Sequence, residues 1–345
     1  MPAQSTPHSA VLKVISLGKL MSSPAAVAAE LLAACTDTGF FYLDCTDWKD
    51  GSLSASQVQR LFQIIKTLYD LPQEEKSAWA ADHHHSEEMI VGYKEAGVGP
   101  GPVEARKDGF EGFMIFEHPL RNVADPATMV APRPLQEDGK ILQANISALR
   151  DISLAILDSL SQSLGLTGKS HLTSTHRVGE ASTTALGLLK YLPHGTSEDI
   201  GVGHIAHTDA GSLSFVFTDV PGLQVALPGT DEWAYILPRE GHAIVNVGDS
   251  LHLLSQGRLR SSLHRVVPYP DAFNRTKYTI VYLVRPETDA VFIDGDGKEW
   301  KSKDWYLKKF EIFGKGAIDP SDSSVLTGRE NYDGRWNPLT AAATV

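Results

Sequence analysis

The chain has 345 residues, 42% of them hydrophobic and 21% charged, with a net charge of −11 at neutral pH. This composition suits a globular protein with a sizeable core and excludes collagen-like, disordered and low-complexity classes. The acidic balance, without a long basic run interleaved with aromatics, speaks against nucleic acid as a partner, and no run of 18 apolar residues suggests a membrane span.

Along the chain, "VLKVISL" (11–17) reads as a short strand. "SPAAVAAELLAACTDTG" reads as a helix with Ser23 near its start and Gly39 beyond its end. A strand "FFYLDC" follows, then a helix over 55–70 whose apolar residues recur at helical spacing, then a further helix opened by "LPQEEK". The opening third is thus expected to be helical with a strand or two. Cys35 and Cys45 both fall in it, and nothing before them resembles a signal peptide, so a reducing cytosol is the expected location. Residues 92–119 are rich in glycine and proline and read as loops around short strands. A long amphipathic helix is expected over about 138–164.

Beyond it the texture changes to short strands with turn signals: "TALGLLKYL", "GSLSFVF", "GLQVAL", "WAYILP", "AIVNVG", "RSSLHRVVPY" and "KYTIVYLVRP". Evenly spaced strands of this kind favour a barrel or a double-sheet jelly roll, which removes exposed sheet edges. The tail "DWYLKKFEIF" reads as one more helix packed outside. The fold class expected is mainly β with α additions: a double-stranded β-helix (jelly roll, cupin-like) flanked by N-terminal and C-terminal helices. Four segments are expected to form one structural unit: 1–125, helical; 126–180, long helix and linker; 181–290, the jelly-roll core; and 291–345, a C-terminal extension.

"GVGHIAHTDAGSLSFVF" (201–217) sets His207 and Asp209 two apart at the head of an apolar run. Residues i and i+2 of a strand share a face, so the pair can converge on one point. His264 in "SSLHRVV", 55 residues further on, is within reach in a closed sheet. Two histidines and a carboxylate on one face of an octahedral ion, with the other positions open, are the facial triad of non-haem Fe(II) oxygenases. An H-x-D pair alone is common by chance. His204 and His252 read as core or surface histidines, and His83, His84 and His85 in "ADHHHSEE" as a solvated loop.

The surroundings decide the matter. "HTDAGSLSFVFTDVPGLQVAL", "WAYILPREGHAIVNVGD", "LHLLSQGRLRSSLHRVV" and "KYTIVYLVRPE" resemble the 2-oxoglutarate and Fe(II)-dependent dioxygenase superfamily, in its isopenicillin N synthase-like branch. "VISLGKL", "ACTDTGFFYL", "LYDLPQEEK" and "GYKEAG" resemble the segment that precedes the jelly roll in that family, and the likeness covers roughly 11–290. The resemblance implies that His207, Asp209 and His264 are the iron ligands and that Fe(II), 2-oxoglutarate and O2 take part. It further implies that 2-oxoglutarate becomes succinate and CO2 while a small organic substrate, of the specialised-metabolite kind, is hydroxylated, desaturated or rearranged.

Where the family usually has Arg-x-Ser to grip 2-oxoglutarate, this chain has Lys277 and Thr279, which alternation puts on one strand face with Val281 and Leu283. Lysine is a hydrated point charge where arginine offers a planar fork. It can still give a charge-assisted hydrogen bond, with the Thr279 hydroxyl as second donor. Arg275 and Arg285 are lesser candidates for the same task, and an ordinary solvated edge-strand lysine is the bland alternative. Tyr191 resembles a family tyrosine that contacts the co-substrate, and reads equally well as core. Asn246 and Asp249 in "NVGD" read as structural. Substrate is expected to meet the loops at 83–112, with Tyr93, Arg106, Phe110 and Phe113 as candidates, and the tail after 290. Two rival readings remain: an oxidase that dispenses with 2-oxoglutarate, as isopenicillin N synthase does, and a catalytically dead binding protein on the same barrel. Oligomeric state is left open by the sequence.

Overall fold

The computed structural model describes residues 7–48, 53–80, 91–103, 106–193, 203–230, 232–314, 319–332 and 334–335; the histidine run 83–85 lies outside them. Its strands are β1 (Lys13–Ser16), β2 (Phe40–Asp44), β3 (Val91–Lys94), β4 (Phe110–Phe116), β5 (Ala185–Tyr191), β6 (His204–His207), β7 (Leu213–Thr218), β8 (Leu223–Ala226), β9 (Trp233–Ile236), β10 (His242–Val247), β11 (His264–Val266), β12 (Lys277–Val284), β13 (Val291–Ile293) and β14 (Glu299–Lys301). An eight-stranded sheet runs β1-β2-β10-β7-β12-β5-β4-β3, a four-stranded sheet runs β6-β11-β8-β9, and β13 pairs β14. From β5 to β12 the chain passes back and forth between the two larger sheets, with β5, β7, β10 and β12 in one and β6, β8, β9 and β11 in the other, which is the jelly-roll arrangement expected.

The opening third carries more strand than its sequence suggests. β1 to β4 all join the large sheet, β3 through antiparallel pairing with β4 and β4 with β5. The strand expected over 11–17 is only four residues long, because Ser16 caps a helix, Leu17–Ser22, by accepting from the Lys19 amide. The following helix, Ala28–Asp37, starts after a separate proline-led turn. Gly39 ends that helix at φ +68°, and a Cβ there would lie 2.2 Å from the Arg260 carbonyl oxygen.

Strand β12 shows how alternation builds the interior. Ile280, Tyr282 and Val284 point into the main core. There they meet the face of helix Gly139–Ser163 that carries Leu142, Ile146, Leu149, Ile152, Ile156 and Leu160. Tyr282 donates its hydroxyl to Glu117, 2.6 Å away, so its polar end is not buried unpaired. Lys277, Thr279, Val281 and Leu283 point the other way and line the cavity.

β6 is an edge strand, and the C-terminal segment covers it. The Ala206 amide donates to the Gly334 carbonyl (2.7 Å) and the Thr208 amide to the Leu326 carbonyl (3.0 Å), so the edge is blunted within the chain. Helix Ser302–Gly314, foreseen from "DWYLKKFEIF", packs beside it. Among the described residues no helix is long and apolar enough to cross a membrane.

Candidate active site

His207 ends β6 and His264 begins β11, and the antiparallel register sets the two directly opposite each other. Asp209 is not on the strand, as its i+2 spacing suggested. β6 stops at His207, and Asp209 sits in the turn that carries the chain from the small sheet to β7 in the large one. The turn still delivers it: one ligand atom from each of the three residues lies within 4.8 Å of the others.

Hydrogen bonds orient all three groups toward that point. Nδ1 of His207 lies 2.9 Å from the Ile205 carbonyl and Nδ1 of His264 lies 3.0 Å from the Ser262 carbonyl, in each case the residue two earlier. With Nδ1–H donating there, each Nε2 keeps its lone pair for the centre. Asp209 accepts on Oδ2 from Ser214 Oγ (2.6 Å) and Asn246 Nδ2 (2.8 Å). Its Oδ1 stands 3.7 and 3.8 Å from the two Nε2 atoms, too far for hydrogen bonds and open enough for an ion between them.

Burial opposes ionisation of Asp209, but His264 and His207, then Asn246 and Ser214, outweigh it and hold the carboxyl well below its usual range. Burial, then His264 and His204, push His207 well below the usual imidazole range. An anionic carboxylate and a neutral imidazole are the states a metal ligand requires. Two imidazoles and one carboxylate on one side of an open cavity fit Fe(II).

The cavity has a volume of about 450 Å³. Lys277, at one end of β12, is buried, and its Nζ donates to Thr279 Oγ1 at 2.5 Å. Tyr191 is its partner across the β5–β12 ladder, which explains why the ammonium lies 4.6 Å from the Tyr191 ring centre. Burial lowers the Lys277 ammonium to about 7, and Asp219 offsets this only in part. No carboxylate lies within ion-pairing distance of it among the described residues. A buried cation beside a hydroxyl that accepts from it and donates to Thr218 Oγ1 at 3.3 Å, both groups lining the cavity, suits the distal carboxylate of 2-oxoglutarate, toward which the hydroxyl can turn. Arg275 lies in the exposed turn before β12 and does not line the cavity, whereas Arg285 lines its opposite end.

Of the candidates for contact with substrate, Tyr93 and Phe110 line the cavity. Phe113 is buried against Tyr69 and Tyr93, because β4 alternation sends Phe110 and Phe113 to opposite faces, and Arg106, before β4, is exposed and outside the lining. From the tail, Lys309, Phe310 and Phe313 line it as well. His204, read as core or surface, is a cavity wall residue whose ring centre lies 4.9 Å from Phe110 and 5.5 Å from Phe313. His252 hydrogen-bonds the Leu259 carbonyl and is structural. Asn246 has more than the structural role read for it, since it fixes the Asp209 carboxylate. The available signal was a buried amide in the apolar strand "AIVNV", which must find a polar partner. Asp249 holds Lys309 and accepts from Ser261 (2.7 Å) behind the metal turn.

The fold and this site define a non-haem iron oxygenase, and comparison with known proteins agrees. Residues 182–286 match the 2OG-Fe(II) oxygenase superfamily and residues 12–130 match the non-haem dioxygenase N-terminal region described from morphine synthesis. The 2-oxoglutarate-dependent dioxygenase gloE of Glarea lozoyensis is 33% identical over 93% of this chain and 93% of its own length. Oxidoreductase vrtI of Penicillium aethiopicum is 32% identical over 95% of this chain and 77% of its own. The crystal structure of the dioxygenase for auxin oxidation in rice superposes with a TM-score of 0.64 at 22% identity, covering 87% of this chain and 95% of that one, a likeness of fold. The chain belongs to the 2-oxoglutarate and Fe(II)-dependent dioxygenase superfamily.

Proposed function

We propose that His207, Asp209 and His264 hold Fe(II), that Lys277 and Thr279 grip the distal carboxylate of 2-oxoglutarate, and that a small organic substrate, of the specialised-metabolite kind, occupies the rest of the cavity. The observation that carries this reading is the buried, carboxylate-free Lys277 on β12 of the large sheet, lining the same cavity as the triad. A site with no use for an anionic co-substrate would hold that cation at a cost and without return, which weighs against the oxidase reading. The open triad weighs likewise against a dead binding protein.

Iron, once bound, supplies the oxygen activation that couples conversion of 2-oxoglutarate to succinate and CO2 with oxidation of the substrate. The chain's own work is to bind and orient. Ser214 and Asn246 hold one oxygen of Asp209 so that the other faces the metal. The Ile205 and Ser262 carbonyls fix the imidazole tautomers. Tyr191 presents its ring face to the Lys277 ammonium and keeps it aimed inward. Apolar residues, Val216, Val281 and Leu283 among them, exclude water around the reacting groups. The outcome for the substrate, whether hydroxylation, desaturation or rearrangement, depends on which C–H bond the cavity presents. The segments 1–125, 126–180, 181–290 and 291–345 are read as one unit, because β1 to β4 extend the sheet that β5, β7, β10 and β12 build. Two unpaired buried thiols, Cys35 and Cys45, each pushed up to about 12 chiefly by burial, support a cytosolic setting.

The test is to follow succinate by mass spectrometry in protein supplied with Fe(II), 2-oxoglutarate and O2. Succinate should form only with all three, and His264→Ala should abolish it while leaving the fold intact. Undiminished turnover in His264→Ala would reject the ligand assignment.

A further inference from the structure

Among the described residues, Lys94, Lys277, Arg285 and Lys309 are the lysines and arginines lining the cavity. Two of them are neutralised within the protein: Lys94 lies 2.7 Å from Asp108, and Lys309 is bound to Asp249. Lys277 and Arg285 have no carboxylate within ion-pairing distance among those residues. They stand eight positions apart on the cavity side of β12 and its continuation, roughly 26 Å of extended chain, and the turn that carries Asp209 lies at the Arg285 end, where a Cβ on Gly211 would be 3.1 Å from Arg285 Cγ. One co-substrate occupies one cation. The other is left over.

Arg285 is 5% exposed. Its guanidinium lies over the Tyr306 ring, 4.5 Å from the ring centre. One terminal nitrogen, Nη1, donates to the Thr183 carbonyl, and Nε is buried without a hydrogen-bond partner. An unsatisfied donor on a buried, unpaired cation is costly, and a carboxylate is the group that answers both faults by taking two parallel N–H bonds. Asp209 is the protein carboxylate whose field reaches Arg285, while Asp219 is the one that reaches Lys277. Asp209 cannot pair with Arg285, because Ser214 and Asn246 occupy one of its oxygens and the other faces the metal position.

We propose that Arg285 receives a carboxylate of the substrate, so that this enzyme oxidises small organic acids whose acid group sits at the Asp209 end of the cavity. The proposal rests on the reading in which Lys277 anchors 2-oxoglutarate. It separates the two anions of the ternary complex, one at each end of β12. The substrate is then held by its acid group, and the carbon oxidised is the one that reaches the metal from that fixed point.

The test is anaerobic calorimetric titration of the iron- and 2-oxoglutarate-loaded protein with monocarboxylates from butanoate to 3-phenylpropanoate, each beside its primary amide. At least one acid should bind roughly tenfold to a hundredfold more tightly than its amide, the usual worth of a hydrogen bond to a charged group. In Arg285→Met that ratio should collapse to about one, and in Arg285→Lys, which keeps charge but loses the fork, it should be intermediate. Lys277→Met is the control. It should weaken 2-oxoglutarate and leave the acid-to-amide ratio at the wild-type value, so that a fault in the anchor assignment shows in one titration and a fault in this proposal in the other. The proposal is overturned if no acid outbinds its amide, if the ratio survives in Arg285→Met, or if Arg285→Met weakens 2-oxoglutarate instead.

Discussion

In its proposed role Lys277 serves binding at the expense of stability. Its ammonium is lowered to about 7 mainly by burial, far under an ordinary lysine. Because the folded value lies below the unfolded one, the unfolded chain binds more protons between about pH 7 and 10.5. Stability of the 2-oxoglutarate-free protein from this group therefore rises with pH across that window, and the full cost of the buried charge is felt below it. Lys277→Met should accordingly raise the melting temperature at pH 6 in the absence of co-substrate. The same change should weaken 2-oxoglutarate by about 1.5–3 kcal/mol, the loss of a hydrogen bond to a charged group. In wild type the 2-oxoglutarate KM should climb from pH 7 to pH 9, as the free enzyme loses the proton that the anion requires. A flat KM over that range, with a normal melting temperature in Lys277→Met, would mean that this lysine is neither buried as a cation nor used as one. Tyr191 has a narrower role. Tyr191→Phe keeps the ring face under the ammonium and should change the 2-oxoglutarate KM by less than about tenfold, whereas Tyr191→Leu removes the cation–π contact and should cost more.

The element that makes the centre is the turn between β6 and β7, and it is built around close backbone contact. A Cβ on Gly248 would lie 2.3 Å from the Gly211 carbonyl oxygen and 2.9 Å from that of Asp209. The Asp249 amide donates to the Asp209 carbonyl at 2.7 Å, so the loop after β10 grips the ligand turn through its backbone. Gly248→Ala must push that turn outward, and Fe(II) affinity measured against a competing chelator should fall. Asn246→Leu should lower it by about 10- to 100-fold, the usual effect of losing a partner that orients a metal ligand. Equal iron affinity in Asn246→Leu would show that Ser214 alone suffices. The two ends of this element differ in how far the sequence disclosed them. The face of β12 that carries Lys277, Thr279, Val281 and Leu283 was legible because a strand has a period of two and nothing interrupts it over eight residues. The placement of Asp209 on a strand was wrong for a local reason: β6 ends at His207, and the turn rather than the pleat brings the carboxylate round. The second oxygen of Asp209 was invisible, since its partner Asn246 is 37 residues away and only the sheet order unites them.

At the scale of the whole molecule, the C-terminal segment closes the site from outside the barrel, and composition could predict its helix but not its seat. Helix Ser302–Gly314 reaches the ligand turn through Lys309, which is 1% exposed. The lysine is bound to Asp249 and donates to Thr208 Oγ1 at 2.7 Å, and Thr208 lies between the two ligands of the turn. Farther along, Leu326 and Gly334 satisfy the open edge of β6. In the proposed site the tail would thus couple iron binding to packing of a segment distant in sequence. Lys309→Met would leave Asp249 buried with its hydroxyl donors but without a counter-charge, a loss of about 3–5 kcal/mol in folding stability for a broken buried pair. Removing the orphaned charge as well, in Lys309→Met with Asp249→Asn, should restore much of that stability, since the cost comes from the unpaired carboxylate. Iron affinity should recover less, because the tie from the helix to Thr208 is still missing. Denaturant melts of the two single variants and the double variant, alongside iron titrations, separate these effects. If the double variant were no more stable than Lys309→Met, the pair would owe its importance to packing of the lysine stem, and the tail would close the cavity by shape rather than by charge.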